Sequence, residues 1–269
     1  MDQAEYTRLV RALVPVAQSA GRAIMRHYRA GVSTQLKPDS SPVTAADREA
    51  EVIILAALSQ ILPGVPVVAE EEASAGRTPL IGRHFLLVDP LDGTKEFIQQ
   101  RDEFTVNIAL IEDRRPIFGL VYAPATGQLY VTAGADAAAQ AHMGADDAPV
   151  VMDRLPLAPV AARSPAADGL VVVASRSHMD DATKALIART VVKDLKNAGS
   201  SLKFCVLAKG EADFYPRFGP TMEWDTAAGH AVLAAAGGAV TTVDNAPFLY
   251  GKADAGYRNP GFIAVGRRP

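Results

Sequence analysis

The chain has 269 residues, of which 49% are hydrophobic and 21% are charged, and its formal net charge at pH 7 is −3. This composition is typical of a globular protein with a sizeable core, and the slight negative charge disfavours a nucleic acid polymer as partner. No stretch has the length and apolarity of a membrane span or of a signal peptide, so we expect a cytoplasmic protein without an integral membrane segment. The one cysteine, Cys205, is predicted to be a small buried hydrophobe.

The first part of the chain predicts two helices separated by a polar stretch. Between residues 4 and 29 the apolar positions recur at helical spacing, which predicts an amphipathic helix that bends near Pro15 and stops at Gly31. Thr44 then precedes a second helical pattern, and Asp47 follows it at the spacing of a capping box. We therefore expect Thr44 to cap the second helix.

Short apolar runs that end in acids come next. Residues 65–69 lead to Glu70, and residues 85–88 lead to Asp89, so both runs are predicted to be buried strands that open onto a polar site. Three further strand-like runs between residues 105 and 134 follow one another with short turns, which predicts an antiparallel meander.

The second half of the chain has a different pattern. Residues 134–168 are rich in Ala, Asp, Pro and Gly, which predicts a surface excursion at a boundary between two lobes. Beyond this segment strand and helix patterns alternate, as is typical of an α/β unit. We therefore expect an N-terminal α+β lobe over residues 1–165, with most of the acids that lie at element ends, and a C-terminal α/β lobe over residues 166–269.

Five acids lie at the ends of predicted elements rather than on solvated faces: Asp47, Glu70, Asp89, Asp92 and Asp225. Because Pro90 cannot donate to a strand ladder, we expect the chain to leave the sheet there and to turn at Gly93. Asp89, Asp92 and the backbone carbonyl of Leu91 would then offer hard oxygen ligands of the kind that Mg²⁺ prefers. Two metal ions about 4 Å apart can activate a water and stabilise a leaving oxygen.

Each of these motifs also has a simpler explanation when it is taken alone. The segment from Asp89 to Gly93 consists of turn formers, the run at residues 70–72 could be a solvated face, and Asp225 could cap a helix. Their recurrence at separate element ends favours a catalytic site, and the amides of Gly93 and Thr94 are a candidate phosphate site. The chain contains no G-x-S-x-G elbow, no P-loop and no G-x-G-x-x-G fingerprint, which disfavours a serine hydrolase, an ATP-dependent kinase and a dinucleotide enzyme.

At these residues the chain resembles the inositol monophosphatase superfamily of Mg²⁺-dependent, lithium-sensitive phosphatases. Three motifs of that superfamily occur in order: Ala69-Glu70-Glu71, the segment from Asp89 to Thr94, and the segment from Trp224 to Gly229. The resemblance extends from the first helix almost to the C-terminus and implies a mixed α/β fold, a five-layered α/β/α/β/α sandwich. Longer strings, at residues 89–111 and 200–233, are similar to the bisphosphate nucleotidases of this superfamily.

The resemblance implies Mg²⁺ as the cofactor, with two or three ions in the site. Asp89 would bridge metal ions, Glu70 would also orient the attacking water, and Thr94, paired with Asp47, would help to deprotonate that water. The implied metal ligands are, in chain order, Glu70, Asp89, Leu91 through its carbonyl oxygen, Asp92 and Asp225.

The implied substrate is adenosine 3′,5′-bisphosphate (PAP), which bisphosphate nucleotidases hydrolyse to AMP and phosphate, or 3′-phosphoadenylyl sulfate (PAPS). Either substrate implies roles in sulfur assimilation and nucleotide recycling. The residues predicted to bind it around the reacting phosphate are Glu70, Leu91, Asp92, Gly93, Thr94, Lys95 and Asp225. The residues predicted to bind it in the second lobe are Arg176, His178, Ser200, Ser201, Lys203, Tyr215 and Arg217.

Two alternatives remain open at this point. Another member of the superfamily would hydrolyse inositol 1-phosphate or another sugar phosphate, and a non-catalytic metal-binding scaffold would keep the fold without the activity. The full set of acids disfavours the scaffold. The sequence leaves open a monomer or a homodimer, and the resemblance allows a peripheral association with the cytoplasmic face of the inner membrane.

Overall fold

The computed structural model describes residues 1–31, 34–36, 42–146, 148–175 and 179–267, so Arg176 and His178 lie outside the described residues. In chain order, the first part contains α1 (Gln3–Ala30), β1 (Thr34–Leu36), β2 (Pro42–Thr44), α2 (Ala45–Ile61), β3 (Val67–Ala69), α3 (Glu70–Ser74), β4 (His84–Asp92), α4 (Thr94–Ile98), β5 (Thr105–Glu112), β6 (Arg115–Ala123), β7 (Gln128–Gly134), β8 (Ala137–His142) and β9 (Ala158–Val160).

The second part contains β10 (Leu170–Ala174), α5 (Asp181–Ala188), β11 (Val192–Asn197), α6 (Leu202–Ala208), β12 (Phe214–Arg217), β13 (Thr221–Met222), α7 (Glu223–Ala235), β14 (Ala239–Thr242), β15 (Arg258–Asn259) and β16 (Phe262–Val265). Single 3₁₀ turns lie at Met152–Arg154 and Ala253–Ala255. The short strands β1 and β2 pair with each other, and β13 pairs with β15. The remaining strands form two larger sheets.

The larger sheet has the strand order β3-β4-β5-β6-β7-β8-β9, in which β3 is parallel to β4 and every other neighbouring pair is antiparallel. The predicted meander is confirmed as β5, β6 and β7. Residues 134–168, predicted as a surface excursion, instead supply the last two strands of this sheet, with Ala138 and Ala139 buried in β8. Alanine has a low strand propensity, so the composition of this segment did not predict a strand. Pairing with β7 nevertheless holds it in the sheet.

The smaller sheet has the strand order β11-β10-β12-β16-β14. β10 is parallel to β11 and β12, whereas β16 is antiparallel to β12 and β14. The division into lobes over residues 1–165 and 166–269 stays a prediction. One hydrophobic cluster joins Phe85 of β4 with Phe204 of α6 and Tyr215 of β12, so the two halves of the chain share a core.

The alternating side chains of β4 show how the layers pack. Leu86 and Val88 belong to the cluster formed with α1 and α2, whereas Phe85 and Leu87 belong to the cluster formed with α6 and α7. Because successive strand side chains point to opposite faces, this apolar run indicates a sheet buried on both faces. α6 and α7 also contact the smaller sheet, and α5 packs against β12. The layers are therefore α1/α2, larger sheet, α6/α7, smaller sheet and α5, which confirms the predicted α/β/α/β/α sandwich.

A glycine lets α7 approach the larger sheet closely. A Cβ atom on Gly119 of β6 would lie 2.2 Å from the carbonyl oxygen of Ala228 and 2.8 Å from the Cβ atom of Ala231. These distances are far inside van der Waals contact, so any larger residue would push the helix away from the sheet. The close approach helps to set the position of α7, whose first turn carries Asp225.

The predicted helix ends are confirmed. The Thr44 hydroxyl accepts a hydrogen bond from the amide of Ala46 at 3.1 Å, and the Asp47 carboxylate accepts one from the amide of Thr44 at 2.8 Å, which completes the capping box of α2. α1 continues through Pro15 and is followed by Gly31 at φ 88°. Within the described residues, every helix is too short or too polar to cross a membrane.

Candidate active site

A β-bulge shapes the carboxyl end of β4. Asp89 pairs with Asn107 of β5 and Asp92 pairs with Thr105, so the two residues Pro90-Leu91 together face a single residue of the partner strand. The prediction that the chain leaves the sheet at the proline is therefore wrong, because the bulge removes the need for a ladder bond there and pairing resumes at Asp92. The bulge holds both acids at one end of the sheet.

Four carboxylates from three elements line part of a cleft of roughly 720 Å³. Glu70 begins α3, Asp89 and Asp92 lie at the end of β4, and Asp225 lies in the first turn of α7. We call these four residues the acidic wall. Leu91 lines the same cleft. The tertiary fold thus brings together acids that are up to 155 positions apart, from residue 70 to residue 225.

The carboxylates of the acidic wall disfavour one another's charge. Burial raises the pKa of Asp89 well above its usual range, and the negative charges of Glu70, Asp92 and Asp225 raise it further. Burial also raises the pKa of Asp225, and the charges of Asp92 and Glu70 add to the effect. Desolvation and like-charge repulsion both penalise ionised carboxylates, and a bound divalent cation relieves both penalties.

The donors of this wall fit a hard divalent cation. They are carboxylate oxygens, and the backbone carbonyl of Leu91, a residue that lines the same cleft, is the predicted further donor. Mg²⁺ takes such ligands while keeping several waters. Among the residues that the structure describes, no three acidic, histidine or cysteine side chains already surround a common point. Mg²⁺ bound here would be expected to keep water and substrate oxygens among its ligands.

Thr94 and Asp47, predicted as a catalytic pair, are in hydrogen-bonding contact. The Thr94 hydroxyl lies 3.2 Å from Asp47 Oδ1 and 3.3 Å from the Leu91 carbonyl oxygen, and it can donate to either. The other oxygen of Asp47 accepts hydrogen bonds from the Thr44 amide at 2.8 Å and the Thr44 hydroxyl at 2.6 Å. Thr94 lines the cleft and Asp47 is fully buried behind it, so the orientation of the pair is fixed.

Gly93 and Lys95 flank Thr94 and also line the cleft. Gly93 has φ 94°, a conformation that favours glycine, and it precedes the first residue of α4. The predicted phosphate-binding turn therefore lies in the same cleft as the acidic wall. Its contact with a phosphate stays a prediction.

Two serines from the second half of the chain reach Asp92. The hydroxyls of Ser200 and Ser201 donate to Asp92 Oδ2 at 2.5 and 3.1 Å, and Asn107 Nδ2 donates to the Ser201 hydroxyl at 2.9 Å. Thr105 is hydrogen-bonded with both Ser200 and Asn107. Sequence reasoning missed Asn107 and Thr105, although two polar residues inside an apolar strand were a usable signal. Ser200 lines the cleft, whereas the Ser201 residue is only 1% exposed to solvent. Substrate binding by either serine stays a prediction.

Lys203, Tyr215 and Arg217 line another part of the same cleft, and we call them the cationic wall. Lys203 Nζ donates to the Ser200 carbonyl oxygen at 2.6 Å and lies 5.5 Å from the centre of the Tyr215 ring. Burial lowers the pKa of Lys203 to about 8, against the opposing effect of the Asp92 charge.

The Arg217 side chain is held by the loop that follows β12. Its Nε and one terminal nitrogen donate to the carbonyl oxygens of Gly219 at 3.3 Å and Pro220 at 3.1 Å. Backbone carbonyls accept hydrogen bonds without neutralising the charge of a guanidinium group, and Asp180, which lines the same cleft, supplies an opposing charge nearby. The structure thus brings Lys203, Tyr215 and Arg217 together, as predicted, while their contact with substrate stays a prediction.

Glu51 is a buried acid near the site that sequence reasoning missed. Its carboxylate accepts hydrogen bonds from the amides of Glu71 at 2.8 Å and Glu72 at 3.0 Å, and burial raises its pKa to about 7. The sequence feature that could have identified Glu51 is its position one helical turn after Asp47, which places both acids on the same face of α2.

Comparisons with known proteins identify relatives of the chain. The model of the inositol monophosphatase family matches residues 5–264. The 3′(2′),5′-bisphosphate nucleotidase CysQ of Escherichia coli K12 is 43% identical over 249 residues, which cover 92% of this chain and 95% of that protein. The protein of the same name from Buchnera aphidicola is 37% identical over 262 residues, which cover 96% of this chain and 94% of that protein.

Solved structures give the same result. CysQ from Bacteroides thetaiotaomicron has a TM-score of 0.77 and 36% identity, with 99% of this chain and 98% of that chain covered. Inositol monophosphatase from Anabaena, with a TM-score of 0.73 and 23% identity over 98% and 92% of the two chains, shares the fold. The layered fold with its acid-lined cleft is that of a phosphatase class that generally depends on metal ions. More specifically, the chain belongs to the inositol monophosphatase family.

Proposed function

We propose that the chain is a Mg²⁺-dependent phosphomonoesterase that removes the 3′-phosphate of PAP, giving AMP and phosphate. One observation carries the proposal: a single cleft contains both the acidic wall and the cationic wall. PAP has two phosphates, so one can meet cations held by the acidic wall while the other meets the cationic wall directly. The similarity to two bacterial proteins named CysQ supports the same assignment.

The acidic wall would hold the cations that the 3′-phosphate needs. Its four carboxylates and the carbonyl oxygen of Leu91 would be the ligands of two or three Mg²⁺ ions, in keeping with the oxygen donors that Mg²⁺ prefers. When bound, Mg²⁺ would polarise the phosphoryl group and lower the pKa of a nearby water. Glu70, at the start of α3, would also accept a hydrogen bond from that water and orient it.

Thr94 and Asp47 would remove a proton from the attacking water. The Thr94 hydroxyl lies 3.2 Å from Asp47 Oδ1, so its oxygen retains a lone pair that can accept a hydrogen bond from water in the cleft. As the water oxygen bonds to phosphorus, its proton would move to Thr94 while the Thr94 proton moves to Asp47. The bond between phosphorus and the ribose 3′ oxygen breaks, and that oxygen leaves with the bonding electrons and takes up a proton from solvent water. Asp47 returns its proton to solvent before the next turnover.

The cationic wall would recognise the second phosphate. A hydrogen bond between a phosphate and a charged donor contributes ~1.5–3 kcal/mol, and Lys203 and Arg217 are the charged donors of this wall. Tyr215 would offer its ring to the sugar or the base. PAPS carries a sulfated phosphate at the same position, so the same wall would accept it, and the enzyme would then act in sulfur assimilation as well as in nucleotide recycling.

Phosphate release from four substrates tests the proposal: PAP, PAPS, inositol 1-phosphate and fructose 1,6-bisphosphate, each with MgCl₂ and with EDTA. We expect the highest kcat/KM with PAP and no activity in EDTA. A preference for inositol 1-phosphate would replace this assignment with an inositol phosphatase. Absence of release from all four substrates would favour the non-catalytic scaffold.

Two variants test the cationic wall separately. We expect Lys203→Ala and Arg217→Ala each to lower kcat/KM for PAP by about tenfold to a hundredfold and to change hydrolysis of a simple monophosphate much less. Lys209→Ala is the matched control, since Lys209 lies one residue beyond the same helix, α6, and is paired with Glu211 outside the cleft. Equal losses of kcat/KM on both substrates would show that the cationic wall does not recognise the second phosphate.

A further inference from the structure

Glu51 is a buried acid to which the proposed mechanism assigns no role. It is 4% exposed and lies on α2, one helical turn after Asp47. Its two carboxylate oxygens have different partners: Oε2 accepts from the amide of Glu71 at 2.8 Å and Oε1 accepts from the amide of Glu72 at 3.0 Å. Both partners belong to α3, the short helix that begins with Glu70.

α3 needs these hydrogen bonds because it has no cap of its own. The residue before it, Ala69, makes no side-chain hydrogen bond to the helix, and the amides of a first helical turn have no partners within the helix. α3 has five residues, well below the ~12–15 at which an isolated helix becomes marginally stable in water. Its position must therefore come from tertiary contacts, and Glu51 supplies both acceptors to its first turn.

We propose that Glu51 is a positioning residue that holds the first turn of α3 and thereby places Glu70 in the acidic wall. This inference rests on the proposed function of that wall. It makes α2 a common support for two parts of the site. Asp47 fixes Thr94 at the start of α4, and Glu51, one turn further on, fixes the start of α3.

Glu51→Gln tests the inference with little change in side-chain size. Glutamine has one acceptor oxygen, so one amide of α3 would face an amino group that cannot accept its hydrogen bond. Glu49→Gln is the matched control, because it removes the same charge from the same helix at a side chain that pairs with His27 and Arg26.

We expect three changes in Glu51→Gln that are absent from Glu49→Gln. Amide exchange of residues 70–74 becomes faster. The affinity for Mg²⁺, measured by calorimetry without substrate, falls by about tenfold or more, and kcat for PAP falls while KM changes by less than about threefold, because the cationic wall is untouched. A merely structural role would lower the melting temperature without this split between kcat and KM.

Wild-type exchange of residues 70–74 together with wild-type Mg²⁺ affinity in Glu51→Gln would overturn the inference. If that variant does not fold, the same measurements are made on Glu51→Asp. It keeps the charge but is one methylene shorter, and the same changes, smaller in size, are expected. The exchange and calorimetry measurements need no substrate, so a wild-type enzyme inactive on PAP would refute the proposed function without deciding the role of Glu51.

Discussion

The acidic wall and the cationic wall of the cleft are stabilised in different ways. The acidic wall gathers four carboxylates, and burial together with the repulsion between their like charges raises the pKa of Asp89 and Asp225. In the cationic wall, Lys203 and Arg217 already donate to backbone carbonyl oxygens, which hold them in place without cancelling their charge. Under the proposed function, a cation would complete the acidic wall, whereas the cationic wall would receive an anion with its charges already held in place.

This difference suggests separate roles for the two walls, catalysis for the acidic wall and substrate selectivity for the cationic wall. A wall that requires a cation suits the phosphoryl transfer that members of one family can share, whatever the rest of the substrate is. A preformed cationic wall discriminates by what else the substrate carries. Four further measurements test this contrast, and they follow in order of expected effect.

The largest effect is expected from Asp89→Asn, which removes one of the opposing charges. We expect kcat/KM for PAP to fall by about 10³-fold or more, since the variant weakens a proposed ligand of the metal ions. In EDTA the variant should melt at a higher temperature than the wild type, because like-charge repulsion is relieved. Addition of MgCl₂ should raise the melting temperature of the wild type much more than that of the variant. A lower melting temperature of the variant in EDTA would contradict the view that the acidic wall is strained without a cation.

Gly119→Ala tests whether the acidic wall depends on the packing of α7. The added Cβ atom would lie 2.2 Å from the Ala228 carbonyl oxygen, and such overpacking costs about 1–3 kcal/mol of unfolding free energy. Because α7 carries Asp225, stabilisation by MgCl₂ should also decrease. Gly82→Ala is the control, since its Cβ atom would have no neighbour within 4 Å. Urea denaturation with and without MgCl₂ measures both quantities, and equal behaviour of the two variants would refute the packing argument.

The buried His230, also on α7, leads to a prediction of how low pH affects the free energy of unfolding. Burial lowers its pKa to about 3, and its Nδ1 lies 3.0 Å from the Tyr250 hydroxyl. Below pH 6.5 the unfolded chain binds a proton that the folded protein cannot, so the free energy of unfolding falls as the pH drops towards 3. At pH 5 this contribution is about 2 kcal/mol. In His230→Asn the loss of stability between pH 7 and pH 5 should be smaller by this amount, and an unchanged loss would show that His230 is not its source.

The smallest effect concerns the charge of the cationic wall. The pKa of Lys203 is lowered to about 8, so its positive charge is present at pH 7 and is lost as the pH rises through 8. We expect KM for PAP to rise about tenfold between pH 7 and pH 9, whereas Lys203→Arg should show a flat profile because arginine stays charged. The profile for a simple monophosphate should not contain this transition. A rise of equal size in both proteins would assign it to another group.

Local chemistry was enough to predict several parts of this protein. Thr44 and Asp47 form their capping box from residues three positions apart, and the burial of Cys205 follows from its apolar neighbours. The acids at the ends of predicted elements, such as Asp89 and Asp225, could also be singled out. In each case the determining interactions lie within a few positions along the chain, which is the range over which propensity and periodicity act.

Only the tertiary structure decided how these parts meet. The bulge after Asp89 depends on the register with β5, and the strand character of residues 137–142 depends on pairing with β7. The hydrogen bond from Ser200 to Asp92 joins residues 108 positions apart, and Glu51 reaches the amide of a residue 20 positions away in another helix. Such contacts form because packing of the layers brings distant segments together, and no pattern within either segment encodes its partner.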